Sequence, residues 1–276
     1  MGQVPEIRLA NGVTIPQLGY GVFQIPPDQT PRAVRAALDA GYRSIDTASA
    51  YGNESGVGVA VRESGIPRAD LFITTKLWNS DQGYDSTLAA FDRSLTELGM
   101  DYVDLYLIHW PLPRRDRYRD TWRALQRVHA DGRVRAIGVS NFGVAHLTRL
   151  LESAEVVPAV NQIELHPYLP QAELRAFHAE HGIVTEAWSP LAQGELLAEQ
   201  AMTGLASKYG KSPAQIVLRW HLQLGNVAIP KSVTPSRIRE NIDVFDFELA
   251  DDDLVVLTEL NKGKRIGPDP DVFDRV

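Results

Sequence analysis

Short apolar runs alternate with longer amphipathic stretches along this chain, and most runs stop at a polar or ionisable residue. Runs of this length suit strands buried on both faces. Apolar residues three and four apart suit helices packed against them. Strands are predicted over residues 18–22, 44–46, 71–76, 102–109, 134–140, 159–164, 183–189 and 226–231. Helices are predicted between them over 30–40, 53–63, 86–98, 118–130, 144–151, 171–180 and 212–222, and after the last strand over 235–242 and 251–260. Leu88, Phe91, Leu95 and Leu98 carry the helical spacing in the third of these. Thr30 followed by Pro31 reads as an N-cap with proline at the first helical position, and Asn53 reads as the next N-cap. Ahead of the repeat, Ile7-Arg8-Leu9 and Val13-Thr14-Ile15 flank Asn11-Gly12, the signature of a tight hairpin. Such a hairpin could plug the bottom of a barrel.

Strands joined through helices must run parallel. Eight such units close most simply into a (β/α)8 TIM barrel, here with an N-terminal β-hairpin and a C-terminal loop from Lys262 rich in Gly, Pro and Asp. An open doubly wound sheet is the alternative. Gly19-Tyr20-Gly21 and Gly56-Val57-Gly58 lack the third glycine and the strand-turn-helix setting of a dinucleotide fingerprint. No linker or shift in composition divides the 276 residues, so residues 1–276 read as one domain.

Composition narrows the chemistry. The chain has no cysteine, which removes disulfides, thiolate metal sites and a cysteine nucleophile. A net charge of -7 without a basic tract argues against nucleic acid as a main partner. No apolar run approaches a membrane span, and the first residues form no secretory signal, so a cytoplasmic location is expected.

The strand ends carry the candidate chemistry. Asp46, Lys76, His109 and Ser140 fall 30, 33 and 31 residues apart, one strand-helix unit each. Asn141, Gln162, Glu164, Trp188, Ser189, Lys231 and Ser232 continue the series, and Tyr51 lies on the loop after Asp46. In a barrel these ends form one ring at the C-terminal face. A phenol beside an ammonium makes a proton donor. Lys76 is expected to lower the Tyr51 pKa from ~10 toward neutral, with Asp46 holding Lys76 charged. A neutral His109 would position a substrate carbonyl through an N–H. No side chain delivers a hydride, so a nicotinamide or flavin is implied.

Asp46, Tyr51, Lys76 and His109 match the catalytic tetrad of the aldo-keto reductases. Gly41-Tyr42-Arg43-Ser44-Ile45-Asp46-Thr47-Ala48, Gly138-Val139-Ser140-Asn141-Phe142 and Ile229-Pro230-Lys231-Ser232 match the family's signature phrases. The chain resembles the bacterial branch that includes 2,5-diketo-D-gluconate reductase. The resemblance implies a monomeric NADPH-dependent carbonyl reductase. It also implies that Ser140, Asn141 and Gln162 bond the nicotinamide carboxamide and that Trp188 stacks on its ring. Ser189, Leu191, Gln193 and Glu195 would line a pyrophosphate strap. Lys231, Ser232, Val233, Arg237, Glu240 and Asn241 would surround the adenosine 2′-phosphate. Lys231 and Arg237 suit a dianion on physical grounds too, beside the N-terminus of the helix that opens near Pro235. Glu240 could instead accept from ribose or adenine.

Phe23, Trp78 and Trp110, each just beyond a strand end, are expected to wall a pocket for a small carbonyl substrate. The loop Arg114-Arg115-Asp116-Arg117-Tyr118-Arg119 could attract anionic sugar acids or simply be solvated. Three other readings compete. One is a Schiff-base aldolase using Lys76. Another is an NADPH-binding sensor with little turnover. The third is a metal-dependent hydrolase using Glu164, His166, His178 and His181, against which no metal site is expected.

Overall fold

The computed structural model describes residues 4–276. Strands β1 (Glu6–Arg8) and β2 (Thr14–Pro16) pair antiparallel, with Ile7 opposite Ile15. Their turn places Gly12 at φ 86. Eight parallel strands follow in chain order: β3 (Tyr20–Gly21), β4 (Ser44–Asp46), β5 (Phe72–Leu77), β6 (Val103–Ile108), β7 (Val134–Ser140), β8 (Val160–Glu164), β9 (Val184–Trp188) and β10 (Val227–Ala228). The sheet closes where Leu18 bridges Ala228 in parallel. There the Gly19 N–H donates to the Ala228 carbonyl at 2.9 Å, and the Ala228 N–H donates to the Gln17 carbonyl at 3.0 Å. The expected barrel is therefore present.

Leu9 and Ile15 of the hairpin pack on Phe72, Leu105, Leu107, Ala136, Val160 and Val227. All but Leu107, which lies near the end of β6, fall in the first half of their strands, so the hairpin seals the N-terminal end. The helices are α1 (Thr30–Asp39), α2 (Glu54–Glu63), α3 (Tyr84–Leu98), α4 (Tyr118–Ala130), α5 (Val144–Leu151), α6 (Ala172–His181), α7 (Gln200–Tyr209), α8 (Pro213–Gln223), α9 (Pro235–Ile242) and α10 (Asp251–Thr258). They turn their apolar stripes onto the outward faces of the strands. On α4 that stripe is Tyr118, Trp122, Leu125 and Val128. No described helix is long and apolar enough to cross a membrane.

The structure corrects several local expectations. The first and last barrel strands are shorter than predicted. The last ladder stops near Pro230, which has no N–H to donate. Gln29, not Thr30, holds the N-cap position of α1, and the Thr30 hydroxyl donates to the Pro26 carbonyl at 2.9 Å. Asn53 occupies the N-cap position of α2 but makes no capping bond. Its side chain takes the Thr47 hydroxyl at 2.8 Å and donates to the Val22 carbonyl at 3.0 Å. It thus ties the loop after β4 to the loop after β3. Helix α7 was not expected at all. Ser212 does cap α8 with a full capping box to Gln215.

Candidate active site

Strands β4, β5, β7 and β8 carry Asp46, Lys76, Ser140 and Gln162 to the C-terminal mouth. Lys76 lies one residue before the end of β5 with no exposure, and its ammonium donates to Asp46 Oδ1 at 2.6 Å and to the Thr47 carbonyl at 2.9 Å. A third, longer bond runs from Lys76 to the Tyr51 hydroxyl at 3.4 Å. Tyr51 arrives on a short helical turn after β4, whose Ser49 hydroxyl donates to the Lys76 carbonyl at 2.9 Å. The structure thus brings Asp46, Tyr51 and Lys76 into hydrogen-bond contact and sets His109 beside them, its ring centroid 5.7 Å from that of Tyr51.

Charge follows from burial. Removal from water pushes the Tyr51 phenol up from its ordinary pKa, and Asp46 adds to this, while Lys76 pulls it back only in part. The expectation of a near-neutral phenol therefore fails, because desolvation outweighs the neighbouring ammonium. Tyr51 holds its proton at neutral pH, the state a proton donor needs. Burial opposes the Lys76 ammonium, but Asp46 and Tyr51 more than offset it, so its pKa rises. Burial first, and Lys76 second, hold His109 well below the usual imidazole range, so the ring is neutral as expected. Its Nδ1 is buried without a hydrogen-bond partner.

Above these groups opens a cavity of about 1270 Å³, larger than the ~300–1,000 Å³ usual for a single small ligand. Phe23, Trp78 and Trp110 line it, as expected. Trp78 meets His109 edge-on at 5.2 Å, and Phe23 leans on Tyr51 at 5.0 Å. The C-terminal loop supplies a wall that the sequence did not announce. Phe273 packs on Trp110 at 4.3 Å, and Arg275 lines the same space. Several contacts tether this loop beside the cavity. Glu164 accepts the N–H of Ile266 at 2.6 Å and of Gly267 at 2.9 Å. Asn79 Nδ2 donates to the Arg275 carbonyl at 2.6 Å. Arg115 pairs with Asp274 at 2.6 Å. Residues 114–119 do not line the cavity, so the arginine loop meets the tail instead of facing a ligand. Gly267 sits against Trp188, where a Cβ would lie 2.3 Å from the indole ring.

The cavity continues from Trp188 along Ser189, Leu191 and Gln193 to Lys231, Ser232, Arg237, Glu240 and Asn241. Ser189 and Gln193 both hold left-handed φ angles, near 48 and 52. Lys231 and Arg237 have no ion-pair partner among the described residues. This arm fits an elongated ligand that ends in an anion. Two expected residues fall outside it. Val233 points to solvent, and Glu195 pairs with Lys264 of the tail. Ser140, Asn141 and Gln162 line the cavity but are tied inward. Asn141 Nδ2 donates to the His109 carbonyl at 3.0 Å and to Ser140 Oγ at 3.1 Å. Asn141 Oδ1 accepts the indole N–H of Trp188 at 2.8 Å, which fixes the orientation of that ring.

The competing residues have other work. Lys76 is charged, ion-paired and absent from the cavity wall, so no free amine awaits a carbonyl. His166 Nε2 donates to Glu164 at 2.9 Å. His178 is buried between Thr185 and Asn161, each within 2.9 Å, and His181 stacks on Phe177. No cluster of three or more metal-ligating side chains occurs among the described residues. One buried carboxylate, Glu186 on β9, was overlooked. Strand alternation places it inward, two residues before Trp188, and that was the available signal.

The barrel thus has a tyrosine–lysine–aspartate–histidine mouth and a groove that ends at the cations Lys231 and Arg237. The model of the aldo/keto reductase family matches residues 15–262, and the chain belongs to that family. It is 60% identical over 270 residues to an aldo-keto reductase of Mycolicibacterium smegmatis, covering 98% of each chain. It is 54% identical over 266 residues to the glyoxal reductase of Bacillus subtilis, covering 96% of each. The solved structure of a Gox0644 point mutant in complex with NADPH superposes with a TM-score of 0.95 at 47% identity, covering 99% of each chain.

Proposed function

We propose that this chain is an NADPH-dependent reductase of small aldehydes and ketones, with dicarbonyls as the preferred class. The observation that carries this reading is the phenol of Tyr51 on the wall of the cavity, 3.4 Å from the buried Lys76 ammonium that Asp46 pairs with. A bound NADPH would supply the hydride to the carbonyl carbon. Tyr51 gives its proton to the carbonyl oxygen as charge develops there. Lys76, held charged by Asp46, stabilises the phenolate left behind. The neutral imidazole of His109 offers an N–H to the same oxygen, and Phe23, Trp78 and Trp110 shield the reacting atoms from water. Trp188 would face the nicotinamide, Ser189, Leu191 and Gln193 would follow the pyrophosphate, and Lys231, Ser232 and Arg237 would meet a 2′-phosphate. The NADPH complex of the Gox0644 mutant supports the choice of cofactor, and the name of the Bacillus subtilis relative supports a dicarbonyl substrate.

The test follows loss of reduced-nicotinamide absorbance with methylglyoxal, phenylglyoxal, a nitrobenzaldehyde and 2,5-diketo-D-gluconate, each with NADPH and with NADH. Turnover favouring NADPH and the two glyoxals is expected. Tight NADPH binding without turnover of any carbonyl would sink the reading.

A further inference from the structure

Glu186 is a buried carboxylate, hydrogen-bonded into the reacting groups, that the proton-donation scheme leaves unused. It lies beneath the cavity floor and does not line it. Its Oε2 accepts a hydrogen bond from Gln162 Nε2 at 2.8 Å, and the same nitrogen donates to Asp46 Oδ2 at 2.8 Å. Both amide hydrogens of Gln162 are thereby used, so only its carbonyl oxygen stays free for a ligand. Asp46 passes the connection through Oδ1 to Lys76 at 2.6 Å, and Lys76 reaches the Tyr51 hydroxyl. A hydrogen-bonded chain of five side chains thus runs from Glu186 to the proton donor. The groups around Glu186 are few. Asp46 comes from β4, Lys76 from β5 and Gln162 from β8, while on β10 the residue paired with it is the apolar Val227.

We propose that Glu186 is a positioning residue of the reductase site, acting through Gln162 and Asp46 on the Lys76–Tyr51 pair. The inference rests on the reductase reading above. Glu186 Oε1 is buried without a partner, which disfavours an ionised carboxylate there. Burial, and then the charge of Asp46, push its carboxyl up to about 8. Below that pH Glu186 is neutral and only its hydrogen bond to Gln162 matters. Above it a second negative charge lies behind Asp46. That charge favours the Lys76 ammonium and disfavours the Tyr51 phenolate. Tyr51 therefore keeps its proton further into alkaline solution than it would without Glu186, and the proton donor works over a wider range.

Glu186→Gln keeps the shape and the acceptor for Gln162 but removes the charge. Its kcat for carbonyl reduction should match the parent within about twofold at pH 6.5, and the alkaline fall of kcat should begin at a lower pH than in the parent. Glu186→Asp should follow the parent at high pH. In the cofactor-free protein, 13C-tyrosine spectra assigned with Tyr51→Phe should show the Tyr51 titration displaced downward in Glu186→Gln. That readout does not depend on turnover, so failure of the reductase reading leaves it standing. Superimposable profiles, or an equal loss at every pH, would overturn the proposal. So would 13C-glutamate spectra of the parent protein that show Glu186 ionised throughout the neutral range, a measurement that needs no variant to fold.

Discussion

The two ends of the barrel are made by the same strands and differ in what those strands turn inward. On β5 the inward positions run Phe72, Thr74, Lys76; on β8 they run Val160, Gln162, Glu164; on β9 they run Val184, Glu186, Trp188. Leu105 on β6 precedes His109, and Ala136 on β7 precedes Ser140. At the start of each strand these residues pack dry beneath Leu9 and Ile15. A few ångströms further along, the same faces bury carboxylates, an ammonium and amides that satisfy one another. The apolar end supplies burial worth about 1.5–3 kcal/mol for each large side chain. The polar end returns little stability, because desolvating its charges nearly cancels their attraction. One end holds the fold and the other holds protons.

The largest effect should come from Tyr51→Phe, which removes one hydroxyl from the polar end. Turnover should fall by about two to four orders of magnitude while the melting temperature and NADPH affinity stay unchanged. Lys76→Met should damage both ends of the comparison at once. It strands Asp46 beside Glu186, costing about 3–5 kcal/mol in chemical denaturation as well as activity. Adding Asp46→Asn should return part of that stability and none of the turnover. Leu105→Ala should do the reverse of Tyr51→Phe. It should cost about 2–5 kcal/mol of stability, with kcat per folded molecule nearly unchanged. The smallest effect concerns His109. Its depressed pKa keeps the imidazole neutral as pH falls through 6.5, so kcat should show no inflection there. A clear fall in kcat centred near pH 6.5 would mean that the site is wetter than its burial implies.

Much of this arrangement was legible in the sequence, for specific reasons. Buried parallel strands leave continuous apolar runs, and the ends of those runs placed Asp46, Lys76, His109 and Ser140 in one ring. Helix α7 escaped notice because Gln200–Tyr209 mixes Gly204 and small polar residues into a weak apolar stripe. The cap falls one residue earlier than Thr30 because the Thr30 hydroxyl bonds back to the carbonyl of Pro26, four residues before it, as a helical threonine does. Phe273 and the tethers at Glu164 were invisible, since an irregular tail has no period and its contacts span a hundred residues. The Tyr51 pKa was misjudged because charge neighbours can be read from spacing, whereas depth of burial needs the fold. Glu186 could have been found by carrying strand alternation one step inward from Trp188.

The aromatic wall also has an optical consequence. Three of the five tryptophans, Trp78, Trp110 and Trp188, line the cavity, while Trp122 and Trp220 lie buried in the shell of helices. A reduced nicotinamide absorbs where tryptophan emits, so a dinucleotide in the groove would quench the first set far more than the second. The molecule thus carries its own reporter of occupancy, with an internal reference, and needs no added dye.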